Sequence, residues 1–154
     1  MRTPIIQLSE ITKDYILDEI TTKVLHGITV TINKGDFIAI TGPSGSGKST
    51  LLNIIGLLDN ASFGKYILNG KDVTQLTEDE QARVRNKEIG FVFQAFNLLK
   101  RSSVLDNVIL PSIYKGMKKS EREERATDLL NKVGLSEQIN KKPNQLSGGQ
   151  QQRV

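Results

Sequence analysis

The sequence predicts an α/β fold, and three observations support that prediction. An apolar run, Phe37–Ile40, has the composition of a buried strand, and a longer run, Leu51–Leu58, has that of a buried helix. A glycine-rich loop, Gly42–Thr50, joins the two. Apolar residues alternate with polar ones before this segment and recur at helical spacing after it, so we expect strands first and helices later.

The loop has the sequence GPSGSGKST, with the spacing G-x-x-x-x-G-K-S of a phosphate-binding loop. Gly45 and Gly47 let backbone N–H groups turn toward phosphate oxygens, and the following helix directs its positive dipole end to the same place. Lys48 adds a positive charge for the β- and γ-phosphates, and Ser49 offers a hydroxyl to Mg²⁺. The alternative is a Gly/Ser turn followed by a surface lysine. The flanking strand and helix favour a nucleoside triphosphate, ATP or GTP.

The composition is that of a globular chain. Its 154 residues suffice for one domain, with 37% hydrophobic and 25% charged residues. It has no cysteine, which excludes disulfides and thiolate metal sites and permits a reducing cytoplasm. The net charge of +4 comes from scattered residues, so we expect a mildly basic nucleotide-binding surface and no nucleic-acid partner. No apolar run approaches the length of a membrane span, and the N-terminus lacks the apolar region of a secretory signal.

The first third of the chain is predicted to be mostly strand. Ile28, Val30 and Ile32 alternate with threonines, which predicts a half-buried strand over Leu25–Ile32. Asn69-Gly70 is a strong turn signal that closes a short strand. The other predicted elements are the strands Ile5–Tyr15 and Tyr66–Leu68, a polar turn over Asp18–Thr22, a turn over Asn33–Asp36, and a loop over Asp59–Gly64.

Residues 77–134 are predicted to be mainly helical and to form a separate lobe. Thr77–Glu80 has capping-box spacing and predicts a helix that runs to Asn86, and Ser120–Glu123 has the same spacing. The remaining predictions are a buried strand Ile89–Phe93 ending at Gln94, a helix Val104–Leu110 stopped by Pro111, and a helix with Ala126, Leu129, Leu130 and Val133 on one face that stops at Gly134.

A second glycine-rich stretch, Leu146–Gln150, has the sequence LSGGQ and precedes a polar helix. Ser147 and the amides of Gly148 and Gly149 would lie at the start of that helix, where they could bind an anion. For this stretch alone, an N-capping serine in a loop is the simpler interpretation.

Together the two glycine-rich stretches resemble the nucleotide-binding subunits of ATP-binding cassette (ABC) transporters. The first stretch matches their Walker A motif, and Leu146–Gln150 matches their signature motif letter for letter. Gln94 matches the Q-loop glutamine, and Tyr15 stands where the family places an aromatic ring against adenine. The runs Leu51–Asp59, Ile89–Leu99 and Asn144–Val154 are most similar to the branch of macrolide exporters and the lipoprotein-releasing system.

The resemblance implies a P-loop NTPase fold of the ABC ATPase type. Its parts would be an antiparallel β subdomain with Walker A in residues 1–76, the Q-loop and a helical subdomain in residues 77–145, and the signature motif with the start of the next helix in residues 146–154. The RecA-like core would then be partial and incomplete at the C-terminus.

The resemblance also implies a head-to-tail homodimer with two ATP molecules between the subunits. Lys48 and Gln94 would serve catalysis, and Ser49 and Gln94 would coordinate Mg²⁺. ATP would be held by Tyr15, Gly42, Ser44, Gly45, Gly47, Lys48, Ser49 and Thr50, and in trans by Ser147, Gly148, Gly149 and Gln150. The expected partners are transmembrane permease subunits, and the expected location is the cytoplasmic face of the membrane.

Two single residues have simpler interpretations. Tyr15 on a strand is more often a core residue, but its place at a strand end before a polar turn favours adenine stacking. His26 is the one histidine, and we expect it to be exposed or hydrogen-bonded without a catalytic role.

Several family features do not occur within the 154 residues. These are the Walker B aspartate, the adjacent glutamate that acts as general base, and the switch histidine. We therefore expect this chain to bind nucleotide and to hydrolyse it very slowly. We also expect Phe37–Ile40 and Ile89–Phe93 to lack neighbouring strands, so that open edges favour rearrangement or association.

Two other functions remain open from the sequence. One is a soluble cassette ATPase acting on DNA or ribosomes, although the long coiled-coil insertions or paired cassettes typical of those proteins are not visible. The other is a nucleotide-binding module without catalysis. The transported substrate is selected by the permease and cannot be inferred from this chain.

Overall fold

A four-stranded antiparallel sheet and two helices form the first part of the structure, a computed structural model that describes residues 3–154. The described chain divides into two compact units, with the boundary between Ile89 and Gly90. The elements of the first unit are β1 (Pro4–Leu17), β2 (Ile20–Asn33), α1 (Lys48–Ile55), β3 (Phe63–Leu68), β4 (Lys71–Asp72) and α2 (Glu78–Glu88).

The strand order in the sheet is β2-β1-β3-β4, and every pairing is antiparallel. Three predicted strands are confirmed, and each extends further than the sequence pattern indicated: Ile5–Tyr15, Leu25–Ile32 and Tyr66–Leu68. Thr21 pairs with Ile16, so the predicted turn over Asp18–Thr22 is wrong in its second half. Phe63 pairs with Thr12, so the predicted loop over Asp59–Gly64 ends earlier than expected. Threonine and phenylalanine are both enriched in strands, and cross-strand pairing with β1 extends the ladders over these residues.

One face of the sheet packs against α1. The buried core consists of Leu8, Ile11, Leu25, Ile54, Leu57, Tyr66, Leu68 and Val73. The predicted buried helix over Leu51–Leu58 is only partly correct, because α1 begins at Lys48 and ends at Ile55. Leu57 has a left-handed backbone (φ 54), which cannot continue a helix, and Leu52 and Leu58 are exposed.

Tyr66 is the buried aromatic residue of this core. Its hydroxyl donates to the carbonyl of Ile55 at 2.8 Å, at the end of α1. Burial raises the pKa of Tyr66 to about 12, because the phenolate would lose its hydration there.

The helix α2 begins where the capping-box pattern predicts. Thr77 is the N-cap, its hydroxyl accepts from the Glu80 amide, and the Glu80 carboxylate accepts from the Thr77 amide. These hydrogen bonds hold the pKa of Glu80 below its usual value. The side chain of Arg85 donates to the Leu57 carbonyl at 2.6 Å, so α2 also fixes the segment that follows α1.

The two apolar segments predicted as buried strands are not strands. Neither Phe37–Ile40 nor Ile89–Phe93 pairs with another strand within residues 3–154. Phe37 is 97% exposed and Val92 is 80% exposed. A segment that is apolar on both faces forms a strand only when neighbouring strands hydrogen-bond to its edges. The described sheet consists of β1 to β4 and does not hydrogen-bond to either segment. Both predictions are therefore wrong.

The second unit is helical. Its elements are α3 (Val104–Tyr114), α4 (Lys119–Lys132), short 3₁₀ turns at Ser136–Gln138 and Pro143–Gln145, and α5 (Gly148–Arg153). Its buried core consists of Val104, Leu130, Leu135 and Leu146. No helix in the described part of the chain is both long and apolar enough to cross a membrane.

Two predicted helix boundaries in this unit are wrong. Pro111 lies inside α3, which continues to Tyr114. Proline removes one hydrogen bond there, but α3 is already established by a Ser103–Asp106 capping box and by buried Val104 and Ile109.

The second boundary is the start of α4. Ser120 is not its N-cap, because α4 begins at Lys119 with no side-chain cap. The predicted apolar face is narrower than expected, because Ala126 and Leu130 are buried whereas Leu129 and Val133 are exposed. The predicted stop at Gly134 is confirmed, since the helix ends at Lys132 and Gly134 has φ 70.

Gly134→Ala is expected to destabilise the second unit by about 1–2 kcal/mol, because an L-residue is strained at the left-handed backbone of Gly134. The measurement is urea unfolding followed by circular dichroism. Gly90→Ala is the matched control, because Gly90 has no left-handed φ and open space around its Cβ position. Equal unfolding midpoints for the two variants would contradict this account of the end of α4.

Tyr66→Phe is expected to reduce the loss of stability at alkaline pH. The pKa of Tyr66 is about 12 in the folded chain against a usual 10.0, so its stabilising effect is complete below pH 10 and is lost as pH rises through 12. Between pH 10 and 12 the titration of Tyr66 lowers the free energy of unfolding by about 1.4 kcal/mol per pH unit. Phenylalanine does not titrate, so the substitution removes this contribution. The free energy of unfolding from urea titrations at several pH values measures the slope. Tyr114→Phe, at a residue 78% exposed, should leave the slope unchanged.

Candidate functional site

Gly47 lies where the glycine-rich loop becomes α1, and no other residue type fits its surroundings. Its backbone is left-handed (φ 84). A Cβ atom at Gly47 would lie 2.8 Å from Cδ2 of Leu25 and 3.0 Å from the carbonyl oxygen of Val24. The start of α1 therefore packs directly against the backbone of β2, and both the conformation and the close approach require glycine.

The N-terminus of α1 has no side-chain cap. Gly47 as N-cap has no side chain to accept a hydrogen bond, and the first turn contains no acidic residue. The amides of the first turn, Lys48 to Thr50, therefore have no acceptor within the helix. Such amides, together with the helix dipole, attract an anion. Ser49 lies in this turn and is exposed.

Lys48 folds back over the glycine-rich loop. Its ammonium group donates to the carbonyl oxygens of Gly42 at 2.9 Å and Pro43 at 2.6 Å, and lies 3.4 Å from Oγ of Ser46. All three partners are neutral. Phosphate oxygens would be stronger acceptors for the same ammonium group, because charge-assisted hydrogen bonds are roughly twice as strong as neutral ones.

A hydrogen-bonded turn shapes the middle of the glycine-rich loop. The Ser46 amide donates to the Pro43 carbonyl at 3.3 Å, which closes a turn around Ser44 and Gly45. Gly45 has φ 79, which favours glycine, and nothing lies within 4 Å of its Cβ position. The loop is exposed over Gly42–Ser46, so an anion can approach it from solvent. The loop and the first turn of α1, called the cradle below, thus place backbone amides and an ammonium group together, an arrangement that can bind an anion such as phosphate.

Tyr15 lies near the end of β1 and is 43% exposed, so it is not a core residue. Its hydroxyl donates to Oδ2 of Asp59 at 2.9 Å, and Nζ of Lys13 lies 2.6 Å from Oδ1 of the same carboxylate. Burial alone would raise the pKa of Asp59, but the hydrogen bonds from Lys13 and Tyr15 and from the Asn60 amide lower it overall. The aromatic ring is accessible and is fixed at its hydroxyl.

The second unit contains the LSGGQ stretch and Gln94. Ser147 is the N-cap of α5, in a capping box with Gln150. Nε2 of Gln152 donates to the carbonyl of Phe93 at 3.3 Å, and a Cβ atom at Gly148 would lie 3.9 Å from Cζ of Phe96. The segment around Gln94 and the start of α5 are therefore adjacent within this unit.

The predicted site residues divide between the two units. The first unit brings together the loop residues Gly42, Ser44, Gly45, Gly47, Lys48, Ser49 and Thr50, and it also contains Tyr15. The second contains Gln94, Ser147, Gly148, Gly149 and Gln150. Gln94 is exposed. His26 is also exposed, as expected.

Lys13 and Asp59, which contact Tyr15, were not expected at the site from the sequence. They are 46 residues apart, so only the fold brings them together. The left-handed backbone of Phe96 (φ 57) and Asn97 (φ 54), just after Gln94, was not expected either. Strain of this kind is concentrated at functional sites, and an asparagine after an aromatic residue was the only signal for it.

The described residues contain no group of three or more His, Cys, Asp or Glu side chains that could hold a metal ion. A metal at the cradle would be bound by hydroxyl, amide and phosphate oxygens instead. Oxygen donors of this type suit Mg²⁺, which is usually bound by few protein ligands together with substrate phosphates and water.

Comparison with known proteins agrees with the geometry. Residues 25–154 match the ABC transporter family. The macrolide export ATP-binding/permease protein MacB of Azoarcus sp. (strain BH72) is 53% identical over 152 residues, which cover 99% of this chain and 23% of that protein. The uncharacterized ABC transporter ATP-binding protein YknY of Bacillus subtilis (strain 168) is 52% identical over 149 residues, covering 97% of this chain and 65% of that protein.

Solved structures show the same fold. The ATP-binding cassette MJ0796, in a dimeric post-hydrolysis state bound to ADP and Pi, superposes with a TM-score of 0.88 at 44% identity. The match covers 97% of this chain and 66% of that one. The present chain thus spans about a quarter of the MacB relatives and about two thirds of the shorter ones. The predicted P-loop NTPase fold of the ABC ATPase type is confirmed, and the chain belongs to the ABC transporter family.

Proposed function

We propose that this chain is an ATP-binding part of an ABC transporter and that its glycine-rich loop holds the triphosphate of Mg–ATP. The observation that carries the proposal is the uncapped first turn of α1, which follows left-handed Gly47 and begins with Lys48. Amides without acceptors and an ammonium group at one place form a cradle of the kind that a triphosphate requires.

Each loop residue has a role in this proposal. The backbone amides of Ser44, Gly45 and Gly47 and those of the first turn of α1 donate to phosphate oxygens, with Gly42 shaping the loop. Lys48 exchanges the carbonyls of Gly42 and Pro43 for the β- and γ-phosphates. The hydroxyl oxygen of Ser49 would be a Mg²⁺ ligand, and bound Mg²⁺ would neutralise phosphate charge. The resemblance assigns the same ligand role to the side-chain oxygen of Gln94.

The start of α5 is proposed to act on ATP held by a second copy of the chain. The hydroxyl oxygen of Ser147 accepts from the Gln150 amide at 3.3 Å, so its O–H remains able to donate to a phosphate oxygen. Gly148 and Gly149 add backbone amides with no side chains in the way. A triphosphate between two surfaces needs donors from both sides, and the related cassette MJ0796 is described as dimeric.

The transport function is proposed from the relatives. The MacB proteins are named as combined ATP-binding and permease proteins for macrolide export. We infer that this chain acts with a membrane permease of the macrolide-export or lipoprotein-release type, at the inner face of the membrane, and that Gln94 and the helices after it transmit the closure of the dimer. ATP would hold that dimer closed, and loss of the γ-phosphate on hydrolysis would let it open, so ATP binding and hydrolysis would switch the dimer between two states.

Mg–ATP is expected to stabilise the chain, and Lys48→Ala is expected to abolish most of that effect. At a concentration about a hundred times its dissociation constant, a ligand stabilises by roughly 2.7 kcal/mol. Thermal unfolding with and without Mg–ATP measures the shift. Lys34→Ala, which removes an exposed lysine of the same unit, is the matched control and should keep the full shift. An unchanged melting temperature of the unmodified chain would contradict the proposed function.

We further propose that the 154-residue chain, assayed alone, hydrolyses ATP very slowly. The hydrogen-bond partners of Lys48 are two carbonyls and a hydroxyl, and the resemblance places no carboxylate of the chain in the general-base role. General-base assistance contributes typically ~10²–10⁴ in rate. A phosphate-release assay at saturating Mg–ATP measures the turnover rate of the chain, with the B. subtilis relative as reference. Turnover equal to that of the longer relative would refute this prediction.

A further inference from the structure

Lys13 and Asp59 form an ion pair beside Tyr15. Nζ of Lys13 lies 2.6 Å from Oδ1 of Asp59, and the Tyr15 hydroxyl donates to Oδ2 at 2.9 Å. The Lys13 side chain is 12% exposed and that of Asp59 is 27% exposed. The pair is thus partly shielded from water, while Tyr15, whose hydroxyl is bonded to it, is 43% exposed.

Asp59 is fixed to the helix that begins at the phosphate loop. The amides of Leu58 and Asp59 both donate to the carbonyl of Asn53 in α1, at 2.8 and 3.3 Å. Helix α1 has eight residues and begins at Lys48, so it extends about 12 Å from the loop. The hydroxyl of Tyr15 is therefore tied to the same rigid element whose N-terminus forms the cradle.

Lys13 holds the Tyr15 ring in a second way. Its Nζ atom lies over the ring, 4.9 Å from the centroid, at a distance where a cation is attracted to the π face. Lys13 itself is fixed by the carbonyl of Asn60 at 2.7 Å. Because contacts at the hydroxyl and at the face both restrict the ring, less side-chain entropy is lost when another ring stacks on it.

We propose that Lys13 and Asp59 are positioning residues that hold the Tyr15 ring at a fixed place relative to the phosphate loop, where it stacks on the base of ATP. The inference rests on the proposed ATP-binding function. The base and the phosphates of a nucleotide are covalently linked, so the distance between them is limited. Fixing the Tyr15 ring relative to the phosphate loop therefore pre-organises the site for a nucleotide.

The test compares two ligands by titration calorimetry on the whole chain, Mg–ATP and Mg–tripolyphosphate, which lacks the base. Lys13→Met, Asp59→Ala and Tyr15→Phe are each expected to weaken Mg–ATP about 2- to 10-fold, as loss of one hydrogen bond would. Tyr15→Ala is expected to weaken it about 5- to 100-fold, as loss of a stacked base would. All four should bind tripolyphosphate as the unmodified chain does.

Matched controls come from a second lysine–aspartate pair of the same unit. Nζ of Lys65 lies 3.5 Å from Oδ2 of Asp72, and both side chains are exposed. Lys65→Met and Asp72→Ala should change neither affinity. The double variant Tyr15→Phe with Asp59→Ala should lose no more Mg–ATP affinity than Asp59→Ala alone, because both changes remove the same tether.

Each other outcome overturns a specific claim. If Tyr15→Ala alone weakens Mg–ATP, the ring stacks without the pair and the positioning role is wrong. If tripolyphosphate binding falls in parallel with Mg–ATP binding, the pair supports the fold and not the ring. If the unmodified chain binds both ligands equally, the base is not contacted and the inference fails while the phosphate cradle stands. If it binds neither ligand, the proposed function itself fails.

Discussion

The close contact between Gly47 and β2 is the constraint on which the rest of the site depends. With no Cβ, Gly47 lets the chain leave the loop in a left-handed turn and start α1 directly against Val24 and Leu25. Any larger side chain would separate α1 from the sheet, and a side chain able to cap the helix would occupy the amides of the first turn. One residue thus sets both the packing of α1 and the absence of a cap at its N-terminus.

The other end of α1 is fixed by polar contacts to two elements, α2 and β1. From α2, Arg85 donates to the Leu57 carbonyl and Gln81 donates to the Asn60 side chain. From β1, Lys13 donates to the Asp59 carboxylate and to the Asn60 carbonyl. Gln81 is buried and the side chains of Lys13, Asp59 and Arg85 are partly buried, and each of them has a hydrogen-bond partner in this network. The helix is therefore held at both ends, by a close backbone contact at the loop and by a small network at Asp59. This arrangement connects the fold of the first unit to the positions of the loop and of Tyr15.

Features that depend on a few neighbouring residues could be predicted from the sequence, and features that depend on distant partners could not. The glycine spacing, the lysine, the capping box at Thr77 and the N-cap serine at Ser147 depend on a few neighbouring residues, so they could be predicted. Phe37–Ile40 and Ile89–Phe93 were predicted as strands from apolarity alone, but a strand also needs partners, which no local pattern contains. Pro111 was predicted to stop α3, and packing of Val104 and Ile109 outweighed it. Lys13 and Asp59 could not be predicted, because tertiary structure alone brings them to Tyr15.

The proposed function requires that the backbone amides at the start of α1 bind phosphate. This binding can be followed through the backbone amide chemical shifts of the ¹⁵N-labelled chain during titration with Mg–tripolyphosphate. We expect saturable shifts that are largest for Gly45, Gly47, Lys48 and Ser49, with little change in the strands β3 and β4. Shifts spread over exposed lysines of both units, with the amides of Gly47 and Lys48 unmoved, would contradict it.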